Sequence, residues 1–243
     1  MNQTLPGRGA GCRTAALALG AMLMLGIGAA ASGPGAEGRD GIARLKAGNA
    51  RFVANPAEAL AIDADRRAAL AAGQSPFATV VSCADSRVPP EVIFHAGLGE
   101  LFVVRSAGHV ADHSVLASIE YAAEHLDVPL IVVMGHEMCG AVRAAVETPA
   151  GASLGPNLDY LVKAIRPAVG RTAGQPADTR LRAAILENVE ETINDLMTRS
   201  TVLRRKAESG RVTLVGAYYE LTSGRVHFSE PVHVPAAVPS TGH

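Results

Sequence analysis

Two short segments of this 243-residue chain concentrate side chains that can do chemistry together: Cys83-Ala84-Asp85-Ser86-Arg87 and Gly135-His136-Glu137-Met138-Cys139-Gly140. Two thiolates and one imidazole are donors of the kind that hold zinc, and a carboxylate or a water completes four-coordination. His136 and Cys139 are three positions apart, so on the first turn of a helix both can face one ion. Cys83 must arrive from elsewhere in the fold, and Asp85, two residues on, is near enough to supply an oxygen. Arg87 carries a rigid guanidinium fork that can hold the same carboxylate through two hydrogen bonds. That pairing would make Asp85 a switch, which either binds metal or turns to Arg87 and leaves a corner open for water. Each residue alone has a plainer reading. A buried cysteine is usually a small core hydrophobe, an exported chain can join Cys83 to Cys139 as a disulfide, and Asp85 with Arg87 can be an ordinary loop ion pair. The joint pattern is what favours a metal. His95, His125, His227, His233 and His243 are read as surface or capping residues, and His109 and His113 as candidate proton shuttles.

Residues about fifty positions apart can share an ion only if two elements end side by side. Residues 78–83 (ATVVSC), 101–105 (LFVVR) and 129–134 (PLIVVM) are short, β-branched runs suited to buried parallel strands. Between the last two, residues 112–126 place Val115, Ile119, Ala122 or Ala123, and Leu126 on one helical face. Leu181, Ile185, Val189, Ile193 and Leu196 mark a long later helix, and residues 212–219 with 226–228 read as a strand and hairpin partner around Thr222-Ser223-Gly224. Earlier, Ile42, Leu45 and Phe52 form a thin apolar stripe over residues 41–55, interrupted by polar Asn49, and residues 57–72 suggest a second helix closed by Gly73. This alternation implies an α/β domain on a mainly parallel sheet. Ligands collect where such strands end, and two of the three early strands end in the residues singled out above.

Composition narrows the classes. At 48% hydrophobic and 19% charged, the chain is neither disordered nor highly charged, and its net charge of −1 argues against bulk nucleic-acid binding. Three cysteines are too few for a disulfide-stapled scaffold. Residues 1–13 hold two Arg and no acid, residues 14–31 (TAALALGAMLMLGIGAAA) carry no charge, and an Ala-x-Ala ends at Ala31. That is the pattern of a secretory signal over residues 1–31, with Cys12 ahead of the apolar stretch. The competing reading is an N-terminal membrane anchor, since 18 uncharged residues lie at the lower limit for spanning. The expected organisation is therefore signal 1–31, linker 32–40, catalytic domain 41–230 and a Pro-rich tail 231–243, in a protein exported to the periplasm.

Taken together, the two motifs resemble those of the β-class carbonic anhydrases, Cys-x-Asp-Ser-Arg and His-x-x-Cys-Gly. The resemblance extends to Leu45, Gly48, Asn49, Arg51 and Phe52, to Gly99–Arg105, and to Val215-Gly216-Ala217-Tyr218-Tyr219. It implies a four-stranded parallel core with an added C-terminal strand, a helical arm that crosses onto a partner, and a homodimer or homotetramer. It further implies one Zn²⁺ per subunit on Cys83, His136 and Cys139, with Asp85 as fourth ligand in a closed form and paired with Arg87 in an open one. Gln74 matches a substrate-binding glutamine contributed by a neighbouring subunit, and Phe102 and Tyr121 match aromatics lining the substrate pocket. Val80 stands where a bicarbonate-inhibited group has Trp, which points to the open form. The implied reaction is reversible hydration of CO₂ by a zinc-bound hydroxide, with Asp85 and Arg87 as catalytic residues. Hydrolysis of a CO₂ analogue such as carbonyl sulfide or carbon disulfide, or a non-catalytic zinc or bicarbonate-binding module, are the alternatives on the same scaffold.

Overall fold

Strands buried on both faces need apolar side chains at successive positions, and four such runs build the sheet. In the computed structural model, which describes residues 35–232, β1 (Ala78–Cys83), β2 (Leu101–Ser106), β3 (Leu130–His136) and β4 (Thr213–Tyr219) run parallel. β5 (Val226–Phe228) pairs antiparallel with β4, giving the order β2-β1-β3-β4-β5. This is the expected parallel core with an added C-terminal strand. Side chains alternate between two buried layers: Val80, Val132 and Val215 point to one, and Val81, Val133 and Leu214 to the other. The first layer is covered by α1 (Ala36–Ala54), α5 (Gly140–Glu147) and α6 (Pro156–Arg171), and the second by α4 (His113–His125) and α8 (Thr201–Glu208). α7 (Ala177–Arg199) serves both, with Ile185 in the first and Val189, Ile193 and Leu196 in the second. Each such side chain contributes about 1.5–3 kcal/mol by leaving water. Short α2 (Ala64–Leu70) and α3 (Pro90–Ile93) complete the elements.

Several expected boundaries move, each for a physical reason. α1 begins at Ala36, inside the Gly-rich stretch read as the linker 32–40. Its glycines are what let it lie on the sheet: a Cβ on Gly38 would stand 2.2 Å from Thr213 Oγ1, and one on Gly41 2.9 Å from Leu130 Cδ2. Asn49 does not break the apolar face of α1 but is buried on it. Its Nδ2 donates to Ile93 O at 3.2 Å and Gly224 O at 2.8 Å, and its Oδ1 accepts from Val226 N at 2.9 Å. The helix expected over 57–72 shrinks to α2, because Asp63 caps it by accepting from Arg66 N and none of its residues is buried. α6 had no clear sequence signal, since Pro167 and Gly170 interrupt its pattern, yet Val162, Ile165, Ala168 and Val169 are buried. After β5 the antiparallel pairing continues, with Ser229 N donating to Gly216 O at 2.9 Å and Val232 N to Leu214 O at 2.8 Å. Paired backbone thus reaches into the stretch read as a loose tail 231–243. The signal 1–31, Cys12 and residues 233–243 with two histidines lie outside the described residues. Among the described residues no helix is long and apolar enough to cross a membrane.

Asn49 joins α1 to α3 and to the β4–β5 hairpin through three backbone groups. Asn49→Ala should leave buried N–H and C=O groups unpaired and lower stability by about 1–3 kcal/mol. Denaturant unfolding of the variant against the parent, at matched protein concentration, checks this.

Candidate metal centre

Parallel pairing puts the C-terminal ends of β1, β2 and β3 at one edge of the sheet. Ser82 lies opposite Met134, so Cys83 closes β1 where β3 is about to end in His136. The chain then turns sharply through Met138, whose φ is +56°, before α5 starts at Gly140 with Cys139 at its cap. His136 and Cys139 therefore meet through a left-handed turn between strand and helix, not on the first helical turn as their spacing suggested. One donor atom from each of Cys83, His136 and Cys139 lies within 4.8 Å of the others, and all three residues are buried.

The imidazole is oriented by its neighbours. His136 Nδ1 lies 2.9 Å from Glu137 O, and a carbonyl only accepts, so Nδ1 carries the proton. Nε2 then presents a lone pair, and this buried atom has no hydrogen-bond partner. Glu137 is itself fixed: its N–H donates to Tyr219 O at 2.8 Å, and its Oε2 accepts from Leu221 N at 2.9 Å and Thr222 N at 3.4 Å. An orphaned buried nitrogen flanked by two buried sulfurs fits a borderline-soft cation, and an S, N, S donor set suits zinc.

Charge at the site is shaped on all sides. Cys83 is pulled down to about 3, first by the Cys139 thiol donating to it and then by His136 and the Gly108 N–H, against burial. Cys139 is pushed up by its bond to Cys83 and by burial, so one proton is shared between the two sulfurs. The Gly108 N–H donates to Cys83 Sγ at 3.3 Å. Arg87 grips Asp85 at two points, Nε to Oδ1 at 2.9 Å and Nη2 to Oδ2 at 2.7 Å, while its backbone N–H donates to Oδ1 at 2.9 Å. This holds the Asp85 carboxyl well below the usual carboxylate range. Asp85 Oδ2 is 3.9 Å from His136 Nε2, beside the three-residue cluster but turned to Arg87. Arg105, unremarked in the sequence reading as a site residue, braces the loop from below: Nε donates to Cys83 O at 2.9 Å and Nη2 to Asp85 O at 2.5 Å.

The remaining candidates sit elsewhere. Phe102 is opposite Thr79 near the N-terminal ends of β2 and β1, four residues or about 13 Å along the strand from Cys83. Tyr121 of α4 packs on it, ring centroids 6.3 Å apart, and is 48% exposed. Gln74 is exposed in the loop that precedes β1. Within one chain, then, these three are at the opposite end of the sheet from the cluster. His113 is exposed at the start of α4. His109 is fully buried, with Nδ1 3.1 Å from Thr192 Oγ1 and Nε2 3.4 Å from Asn188 Nδ2. Burial lowers its pKa to about 4, so it is neutral and enclosed rather than a shuttle. Asn188 and Thr192 have no signal in the sequence, because they read as polar breaks in an apolar helix face.

The chain matches the family profile described as carbonic anhydrase over residues 78–226. Carbonic anhydrase 2 of Mycobacterium tuberculosis (strain H37Rv) is 46% identical over 184 residues, covering 74% of this chain and 87% of that one. Carbonic anhydrase of Mycolicibacterium smegmatis is 43% identical over 190 residues, covering 75% and 88%. Among solved structures, a tetrameric β-carbonic anhydrase of Sordaria macrospora superimposes with a TM-score of 0.63 at 25% identity, covering 75% of this chain and 91% of that one. Coccomyxa β-carbonic anhydrase in complex with acetazolamide gives a TM-score of 0.64 at 25% identity, covering 70% and 80%.

His109 also sets an acid limit on stability. Its folded pKa of about 4 lies below the ordinary value of 6.5, so between those pH values the unfolded chain binds the proton and the folded chain does not. Stability therefore falls as pH drops from about 6.5 to about 4, by up to ~1.4 kcal/mol per pH unit from this group. His109→Gln should flatten that part of the stability profile, read from denaturant unfolding at a series of pH values.

Proposed function

The chain belongs to the β-class carbonic anhydrase family and is a carbonic anhydrase, and from that premise we propose that Cys83, His136 and Cys139 hold one zinc ion per subunit at the centre where CO₂ is hydrated. The observation that carries this reading is the partnerless Nε2 of His136, buried between two buried sulfurs with the Asp85–Arg87 pair beside it. When bound, zinc supplies a Lewis acid that makes a nucleophile from water at neutral pH.

The chain's own residues then do the rest. Arg87 keeps Asp85 ionised and holds its carboxylate at the border of the cluster, where it could accept a hydrogen bond from a water at the centre and orient that water. Because Arg87 holds both carboxylate oxygens, Asp85 is turned from the three donors and would leave a ligand position free for water when metal is bound, as in the open form. Arg105 holds the carbonyls of Cys83 and Asp85 so that sulfur and carboxylate keep their separation. CO₂ is small and uncharged, so it needs placement more than activation. Gln74, Phe102 and Tyr121 provide that placement from a second subunit, since they stand at the far end of the sheet from their own chain's cluster. The functional unit is accordingly a homodimer or a larger even-numbered assembly, in keeping with the tetrameric Sordaria macrospora relative. Residues 1–31 direct export to the periplasm, and N-terminal sequencing of the exported protein would locate the cleavage site at Ala31.

Purified protein should contain close to one zinc per chain and accelerate CO₂ hydration in a stopped-flow assay. Cys83→Ala should lose most of the metal. Asp85→Ala should keep most of it while hydration falls by about 10²-fold or more. Absence of zinc, or a rate no higher than buffer, would overturn the reading, and turnover of carbonyl sulfide without CO₂ hydration would reassign the substrate. Full activity of Asp85→Ala would remove Asp85 from the mechanism.

A further inference from the structure

Two buried polar residues on α7, Asn188 and Thr192, are one helical turn apart and supply no metal ligand, yet both lead to the centre. Asn188 Nδ2 donates to Gly108 O at 2.9 Å and lies 3.4 Å from His109 Nε2, while Thr192 Oγ1 is 3.1 Å from His109 Nδ1. An amide nitrogen only donates, so His109 Nε2 accepts and the proton sits on Nδ1, donated to the Thr192 hydroxyl. Both residues of the turn that α7 grips are left-handed, Gly108 at φ +62° and His109 at φ +48°. A left-handed histidine persists only where its surroundings over-determine it. The turn is walled on its other side too, where a Cβ on Gly108 would lie 3.0 Å from Ile165 Cδ1 and 3.1 Å from Ala141 Cβ. α7 can come this close because residue 135, just before His136, is glycine: a Cβ there would stand 2.8 Å from Val189 Cγ2. The outcome of this clamp is one hydrogen bond, from the Gly108 N–H to Cys83 Sγ at 3.3 Å.

We propose that Asn188 and Thr192 are positioning residues of the metal centre, which hold the Ala107–His109 turn so that the Gly108 N–H stays on the Cys83 sulfur and moderates its strength as a donor. The proposal rests on Cys83 being a metal ligand. A hydrogen bond to sulfur draws charge from it, so losing the bond raises the energy of the sulfur lone pairs and loosens the geometry in which they meet the ion.

The test uses the full chain loaded with Co²⁺, whose thiolate-to-metal charge-transfer band reports directly on the sulfurs. Asn188→Leu keeps the volume and removes the N–H donors; Thr192→Val keeps the shape and removes the hydroxyl. In Asn188→Leu the band should move to longer wavelength, and a chelator should strip the metal about 10- to 100-fold faster than from the parent. Thr192→Val should change both in the same direction by less, and it decides the matter alone if Asn188→Leu does not fold. Variants that melt earlier but keep the parent band and release rate would show a purely structural role and overturn the proposal. A parent protein that binds Co²⁺ with no thiolate band would instead overturn the ligand assignment of Cys83, and the proposal with it.

Discussion

Two sulfurs buried side by side cannot both ionise without a cation between them, and the architecture around Cys83 and Cys139 answers that constraint. Their mutual contact drives one thiol down and the other up, so a single proton is shared. Around the pair the protein gathers positive ends of dipoles, the Gly108 N–H on Cys83 and the N-terminus of α5 immediately after Cys139, and sets beside them the lone pair of His136 Nε2 as a third donor for a cation. A divalent cation held there would replace the shared proton and let both sulfurs carry charge. Asp85 is kept ionised by Arg87 at the border of the cluster.

Keeping such a centre rigid requires backbone that ordinary residues resist. Two of the four non-glycine residues with positive φ among the described residues, His109 and Met138, belong to the turns that carry the centre. Strain of this kind survives when several independent contacts fix the same geometry. His109 is fixed by α7, and Met138 lies between a strand and a helix that are both anchored in the buried layers. The glycines at 38, 41 and 135 act in the same direction, since each admits a helix or strand neighbour to a distance that a Cβ would forbid.

The direction of the strands gives the sheet two distinct ends. All four parallel strands finish at the edge where the cluster sits, whereas Phe102, Tyr121 and the loop with Gln74 lie toward the edge where β1 and β2 begin. Strand rise is fixed at about 3.3 Å per residue, so no local adjustment brings those groups to their own cluster. A site that uses both ends is necessarily built between chains.

How much of this was legible in the sequence depended on whether a residue's role is carried by its own chemistry. Cys83, Asp85, Arg87, His136 and Cys139 declared themselves because thiolate, imidazole, carboxylate and guanidinium at strand-terminal positions have few uses together. The α/β class followed from the apolar runs, and α4 was bounded closely by Asp112, whose side chain caps the helix by accepting from Val115 N. Asn49, Asn188 and Thr192 were opaque, since a polar residue on an apolar face looks like an interruption until its backbone partners, 80 or more positions away for Gly108 and Gly224, are in place. α1 began early and α6 formed across Pro167 because packing on the sheet outweighed local propensity. The sequence by itself therefore determined the ligand chemistry and the strand pattern, which depend on residue type and short-range spacing. Only the tertiary structure decided that a left-handed turn rather than a helix aims Cys139, that α7 holds the turn whose Gly108 N–H reaches Cys83, and that Gln74, Phe102 and Tyr121 stand at the opposite edge, because each is a matter of contacts that only the folded chain makes.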